Sequence, residues 1–379
     1  MEHARLIIAI ALSLLIFILW NFFFVEKKTN QLPKQAQEKE QKTDKKPEIL
    51  KKEQIIAEKT PLSGKVPALP VKPSRTVTIK TPLYMVKISE KGAVFKSYVL
   101  KNYRKTIDAD SPLLEMISPD ISDGTIRLGF AGNSLSGLDD AVFSAGLDED
   151  SVNIYNKSKE ISFVWTSSHG VAVEKKFLFS PETYMIDLNV TIKNLSGKTL
   201  RDSLTLSLVQ PAEVKKSRFG FTGPSALINN KLTQIKTKKI KDKNTYTGNV
   251  KWVAVQNRYF MSAIIPDDPV DAGMHLYMDN EILANRYVRP EMVMDSGTQH
   301  VFKYKLFFGP KSMRVLKGLD YDLVKAVNFG MFDIIAKPCV WIMNFIYDHF
   351  IPNYGVAIIL LTLFTKVILW PLGNKSYKS

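Results

Sequence analysis

Between Gly355 and Leu372 the chain reads GVAIILLTLFTKVILWPL, an apolar stretch long enough to cross a bilayer with one charge, Lys366, inside it. A charged side chain at that depth costs roughly 2.5–3.5 kcal/mol on insertion scales, so its presence calls for a reason. Trp370 suits a membrane interface, and Pro371 predicts the end of the helix. Lys375 and Lys378 come directly after, which puts the carboxy-terminal side, residues 373–379, in the cytoplasm.

A second apolar run stands at the other end. Residues 6–25 (LIIAIALSLLIFILWNFFFV) carry no charge. As a helix they measure about 30 Å, the thickness of the hydrocarbon core. A secretory signal peptide would have a shorter core and a small-residue cleavage site. This run ends in Phe22-Phe23-Phe24-Val25-Glu26, which predicts an uncleaved anchor preceded by a short cytoplasmic segment, residues 1–5. Local charge points the other way, since Lys27, Lys28 and Lys34 come after the run and only Arg5 precedes it. The second run decides the orientation, because long domains translocate largely regardless of charge.

Between the two runs the character of the chain changes twice. Residues 26–74 are rich in Lys, Glu, Gln and Pro and poor in aromatics, which predicts a flexible tether. From Arg75 to Ser312, short segments such as ISFVWTSS, VAVEKKFLFS and YMIDLNVTIKN alternate apolar and polar residues between Gly, Pro, Asn and Asp. That period of two, without long intervening helices, predicts a large antiparallel β-sandwich over 75–312. After Pro310 the period becomes helical: Leu316, Leu319, Leu323 and Val327 predict one helix with an apolar face. Pro338 is expected to interrupt the next helix. Cys339–Phe350 is then too short to span, so the connector 313–352 is predicted to end in an amphipathic helix on the membrane surface, with Trp341 and Tyr347 at headgroup level.

Charge and reactive residues exclude several classes. The formal net charge is +15, from 52 Lys and Arg against 37 Asp and Glu. The lysines are spread along the chain among carboxylates and form no Arg-rich or aromatic-basic motif, so no nucleic-acid partner is indicated; a solvated basic surface beside anionic lipid fits better. With Cys339 as the one cysteine, intramolecular disulfides and CxxC metal sites are impossible. The five histidines are scattered and match no metal-binding spacing, so neither metal nor cofactor is expected.

Thr362 and Lys366 lie one helical turn apart and share a face, with Thr365 beside them. Two readings stand. Lys366 can snorkel, its stem reaching the cytoplasmic headgroups. Alternatively, this face lines a hydrated cavity in a helical bundle, which would lower the cost of moving hydrophilic chain across the membrane. Two spans and one surface helix are too few to build such a cavity.

The segment NYGVAIILLTLFTKVILWPLGNKSYKS resembles the entry to the core of the YidC/Oxa/Alb family of membrane protein insertases: an N-[WY]-G start, an aliphatic run with Thr, a basic residue, then PL-x-x-K-S-Y. KTPLYMVKISEKGAVFKSYVLKNY, FTGP (221–224), KWVAVQNRYFMSAIIP (251–266), FFGPK (307–311) and NFGMFDIIAKP (328–338) are similar to further landmarks of its Gram-negative YidC branch, in order, although the usual Gly-Gly reads Gly92-Ala93 here. The resemblance implies a periplasmic β-supersandwich between the spans, a surface helix, and an inner-membrane protein that inserts and helps fold nascent membrane proteins, alone or with the Sec translocon. It implies no enzymatic chemistry. A hydrophilic groove receives the substrate, Lys366 supplies its basic residue, and Thr362 lines it. Family members continue into a cytosolic hairpin, with possible ribosome contacts, and further spans; this chain is therefore expected to be an incomplete portion, truncated after the second span. Lys366 replaces the more usual arginine, keeping the charge but losing the planar fork.

The reading from a different class is an anchored periplasmic β-sandwich that binds a glycan, a lipid or a Sec partner. Sugar chemistry would need a histidine and a carboxylate in one pocket, and His169, His275 and His300 are the candidates.

Overall fold

The computed structural model describes residues 74–376 apart from 136, 213–219, 269 and 280. The expected first span, 6–25, and all but the last residue of the expected tether, 26–74, lie outside the described residues.

Alternation decides the architecture. In Val171–Phe179 each odd position is buried and each even one half-exposed, as a pleated strand with one face on a core requires. It pairs antiparallel with Met185–Asn194, from Ile186 opposite Phe179 to Asn194 opposite Val171. Met185–Asn194 pairs in turn with Thr298–Pro310. Among the described residues these belong to a 13-stranded sheet, which faces a five-stranded sheet built from Thr76–Lys80, Tyr84–Ser89, Val94–Arg104, Leu113–Glu115 and Ser151–Asn153. An aromatic seam joins the two layers: Phe95 lies 5.4 Å from Phe177 and 5.6 Å from Phe308, and Tyr98 stacks on Phe308 at 4.9 Å. Each such side chain contributes roughly 1.5–3 kcal/mol by leaving water.

One strand turns the corner of the large sheet. Thr245–Asn249 pairs with Asp271–Asp279, whereas Val250–Gln256 pairs with Gly223–Ile228, whose register shifts between Leu227 and Ile228. Gly248, at φ +144°, lies beside the switch, and a Cβ there would meet the Asn229 amide at 2.7 Å.

The carboxy-terminal part departs from the sequence expectations in three places. The predicted helix over Leu316–Val327 is instead a short helix α1 (Met313–Lys317), a turn, and a 3-10 turn over Leu323–Ala326. Leu316, Leu323 and Ala326 are all fully buried, so the apolar spacing serves separate anchors rather than one helix face. Helix α2, Asp333–His349, runs through Pro338. Extending it backwards exposes no lone charge, because Asp333 and Lys337 pair across one turn. Helix α3, Tyr354–Ser376, continues past Pro371. A proline removes one donor and crowds one carbonyl, yet it leaves the residues after it free to stay helical.

Candidate functional site

A tight corner sets the orientation of α3. The Asn353 carboxamide oxygen accepts from the backbone N–H of Gly355 at 2.8 Å and of Val356 at 3.3 Å, covering donors that a helix start leaves open. Tyr347 and Tyr354 stack across the corner with centroids 4.2 Å apart. Ala357 is fully buried there, and Leu361, Thr365 and Ile368 continue the half-buried face. Among the described residues α3 is the one helix long and apolar enough to cross a membrane, over Tyr354–Pro371.

Thr362 and Lys366 sit on a different face. Both are exposed, about a sixth of a turn (Thr362) and a quarter of a turn (Lys366) around the helix from Thr365, the nearest residue of the half-buried stripe. Thr365, by contrast, turns towards that stripe. The Thr362 hydroxyl donates to the Ile358 carbonyl at 2.8 Å, and the Thr365 hydroxyl donates to the Thr362 carbonyl at 3.0 Å. Their protons are therefore committed to the helix, while their oxygens can still accept. Lys366 forms neither an ion pair nor a hydrogen bond among the described residues, so its three donors are uncommitted. The face can attract a carboxylate and offer a polar foothold at membrane depth. It holds no group placed to make or break a bond.

The candidate histidines do not converge. His169 lies in an exposed turn with its Nδ1 3.2 Å from the Ser168 hydroxyl. His275 stands on Asp271–Asp279 opposite Arg286, where burial first and then the neighbouring guanidinium hold its pKa below the usual histidine range. His300 stacks on Phe302 on another strand. The larger cavity, about 520 Å³, lies between the large sheet and the segment after α1 and is lined by Lys251, Ile265, Pro266, Leu316, Tyr321 and Asp322 among others. A smaller one, about 210 Å³, lies over Asp187, Lys303 and Lys305. Neither is lined by a histidine, and among the described residues no group of three or more His, Cys, Asp or Glu could hold a metal ion.

One buried group is not among the residues that the sequence singles out. Lys175 is 0% exposed on the core face of Val171–Phe179. Its ammonium donates to the carbonyls of Ala93 at 2.6 Å, Ile126 at 3.0 Å and Gly92 at 3.2 Å. Ala93 and Ile126 both have positive φ, +46° and +63°, so the lysine staples two unusual turns to the sheet. Burial pushes its pKa down to about 7. The sequence does carry a signal: in V-x-V-x-K-x-F-x-F the lysine occupies an inward position.

Residues 76–342 match the family model of the YidC periplasmic domain. The chain belongs to the YidC family. A relative from Syntrophus aciditrophicus named membrane protein insertase YidC is 30% identical over 99% of this chain and 71% of its own length. YidC relatives of the same name from Geobacter metallireducens (30% identical, 84% of this chain, 60% of its own) and Maridesulfovibrio salexigens (28%, 100% and 69%) agree. A galactose mutarotase-like protein from Lactobacillus casei is similar at a TM-score of 0.44 and 10% identity, covering 62% of this chain and 100% of that one. The chain spans 71% and 60% of the lengths of the first two YidC relatives, and 56% of one from Geobacter sulfurreducens.

Proposed function

We propose that the protein containing this chain is a membrane protein insertase of the bacterial inner membrane. The β domain stands in the periplasm, and α3 forms one wall of the groove that receives nascent membrane segments. The exposed Thr362–Lys366 face carries this reading. It is turned away from the half-buried stripe, so that it is free to face further spans of the family's core. In that setting Lys366 attracts acidic residues in the translocated part of a substrate, and the threonine oxygens give it a polar path. Binding and positioning lower the crossing barrier, with no covalent intermediate. Lys375 in the last turn of α3 and Lys378 just beyond it support a cytoplasmic location for residue 379 and, with a second span, for the amino terminus. α2, with Ile334, Trp341 and Phe345 exposed, lies on the bilayer surface. The β domain is a candidate for docking the Sec translocon, and ribosome contacts belong to the part of the family outside this chain.

The test is complementation of an insertase-depleted strain by the full-length gene. Lys366→Arg is expected to support growth and Lys366→Ala to fail at equal protein level. Growth of the Lys366→Ala strain at the wild-type rate would remove the basic-groove reading. Tethering a soluble marker to either end reports the topology independently.

A further inference from the structure

Two turns at one end of the β domain hold large apolar side chains outwards. Ile107, in the loop between Val94–Arg104 and Leu113–Glu115, is 100% exposed. The loop around it is closed by hydrogen bonds. The Arg104 guanidinium donates to the Ser111 carbonyl at 2.6 Å, the Thr106 N–H to the Ser111 hydroxyl at 2.8 Å, and the Lys105 N–H to the Pro112 carbonyl at 3.0 Å. Tyr259, 61% exposed, stands on the turn between Thr245–Gln256 and Phe260–Pro266. There the Asn257 carboxamide oxygen accepts from the N–H groups of Tyr259 and Phe260 at 2.8 Å each, and the Arg258 guanidinium lies 5.1 Å from the centre of the Tyr259 ring. One exposed apolar side chain is ordinary; two on neighbouring tips mark a surface.

Both tips belong to the end from which the chain leaves for the membrane helices. Tyr103, beside the first loop, meets Phe260 edge-on at 5.3 Å, and Phe260 pairs with Pro310, the last residue of the final strand. The Lys311 N–H donates to the Tyr259 carbonyl at 2.6 Å. α1 starts at Met313, and its Arg314 pairs with Asp348 in the last turn of α2. Beyond Asp348, Phe350 and Ile351 are exposed and α3 begins at Tyr354. A continuous run of contacts therefore places the tips next to the start of the span.

Charge and shape fit a bilayer surface. At the first tip Arg104 and Lys105 offset Asp108 and Asp110, so Ile107 offers apolar contact. The second joins a tyrosine, suited to headgroup depth, to an arginine, suited to phosphate, with Lys317 exposed on α1. We propose that the Ile107 and Tyr259 tips dip into the periplasmic leaflet of an anionic phospholipid bilayer beside α3. The β domain then has a membrane contact of its own, separate from α2. This rests on the reading of α3 as a span.

Single cysteines carrying an environment-sensitive fluorophore test it in the full-length protein, with Cys339 and any other cysteine replaced. The protein is placed in nanodiscs of phosphatidylglycerol and phosphatidylethanolamine, with lipids spin-labelled high on the acyl chain as quenchers. Labels at Ile107→Cys and Tyr259→Cys are expected to lose at least half of their emission. A label at Val293→Cys is expected to keep it: the neighbouring Met294 carbonyl accepts from Asn194, which lies opposite Thr298. That end of the final strand is roughly 40 Å from Pro310 at about 3.3 Å per residue. Leu363→Cys, with quenchers deep in the acyl region, reports the span independently. A silent tip with a quenched Leu363 label would overturn the proposal and leave the span standing. Equal quenching at Val293 would also overturn it, since the domain would then touch lipid without preference. Silence at all four positions would remove both the tips and the span.

Discussion

Lys175, on the otherwise apolar inward face of a strand, and Lys366, inside an apolar helix, are treated in opposite ways by the molecule. Lys175 is enclosed by the sandwich and fully satisfied, its ammonium spread over three carbonyls. Lys366 stands open on α3 with no partner among the described residues. The contrast extends to the regions around them. The β domain turns large side chains such as Trp252, Phe177 and Phe307 inward. The α2–α3 corner shows Ile334, Phe350, Ile359 and Trp370 to the outside. A lysine with saturated donors is a structural part, and a lysine with open donors is available to something that arrives. The same substitution at both sites should therefore have unlike consequences.

The largest stability effect is expected from Lys175→Met. Methionine keeps the volume but orphans carbonyls on Gly92, Ala93 and Ile126, at roughly 1–3 kcal/mol for each buried acceptor, offset in part by removing a buried cation. A net loss of about 3 kcal/mol is expected in denaturant unfolding of the β domain, with the slope unchanged. A gain in stability would mean that the desolvation of the ammonium outweighs its three hydrogen bonds.

The pH dependence sharpens the same point. The folded pKa of Lys175, about 7, lies below the ordinary lysine value of 10.5, so the unfolded chain binds the proton more tightly. Wild-type stability from this group is complete above the unfolded pKa and declines as pH falls towards 7. Between those values the slope is about 1.4 kcal/mol per pH unit, and Lys175→Met abolishes it. The cost of the substitution should accordingly be larger at pH 9 than at pH 6.5. Unfolding curves of both proteins at the two pH values check this, and parallel curves would place the titration elsewhere.

A smaller effect is expected at the turn that Lys175 secures. Gly124, at φ +76°, faces the Phe95 carbonyl, and a Cβ there would meet that oxygen at 2.6 Å. Gly197 has a similar φ, +74°, with nothing within 4 Å. Left-handed strain alone is worth roughly 1–2 kcal/mol. Gly197→Ala is expected to cost about that, and Gly124→Ala about twice as much, because the strand contact must also shift. Thermal unfolding of the two variants side by side separates conformational strain from crowding.

The sandwich is legible in the sequence because its code is local: alternation, turn residues and β-branched side chains announce a pleated, half-buried surface one strand at a time. Two apolar strands do not announce which partners they take, so the strand that divides its pairing between Asn249 and Val250 is not visible there. The segment after Pro310 misleads for a related reason. Leu316, Leu323 and Val327 have helical spacing, and what breaks the helix is Gly318 and then left-handed Asp320–Asp322, held by Lys251 from a distant strand. The prolines at 338 and 371 are weaker breakers than their residue type suggests, since a long apolar helix tolerates the loss of one bond. At the candidate site, the shared face of Thr362 and Lys366 comes from spacing alone. That Thr365 turns to the half-buried side depends on the corner at Asn353–Ala357, which is a tertiary fact.

The smallest stability effect is expected where the functional effect is greatest. Lys366→Met removes no hydrogen bond and opens no cavity, since the side chain is exposed and makes no polar contact among the described residues. Replacing a charge by a thioether on a membrane-spanning face also lowers the cost of placing that face in lipid. The melting temperature of the β domain is expected to stay at the wild-type value, and the yield of α3 in the membrane to stay level or rise. Insertion of a substrate with acidic residues in its short translocated segment should nevertheless fall at least tenfold, while a substrate with a neutral segment loses less. Reconstituted vesicles with the two substrates in parallel give that ratio directly. If both substrates fall equally, Lys366 keeps the groove hydrated rather than selecting charge. If neither falls, it is a snorkelling lysine, and the open donors on α3 serve the lipid headgroups.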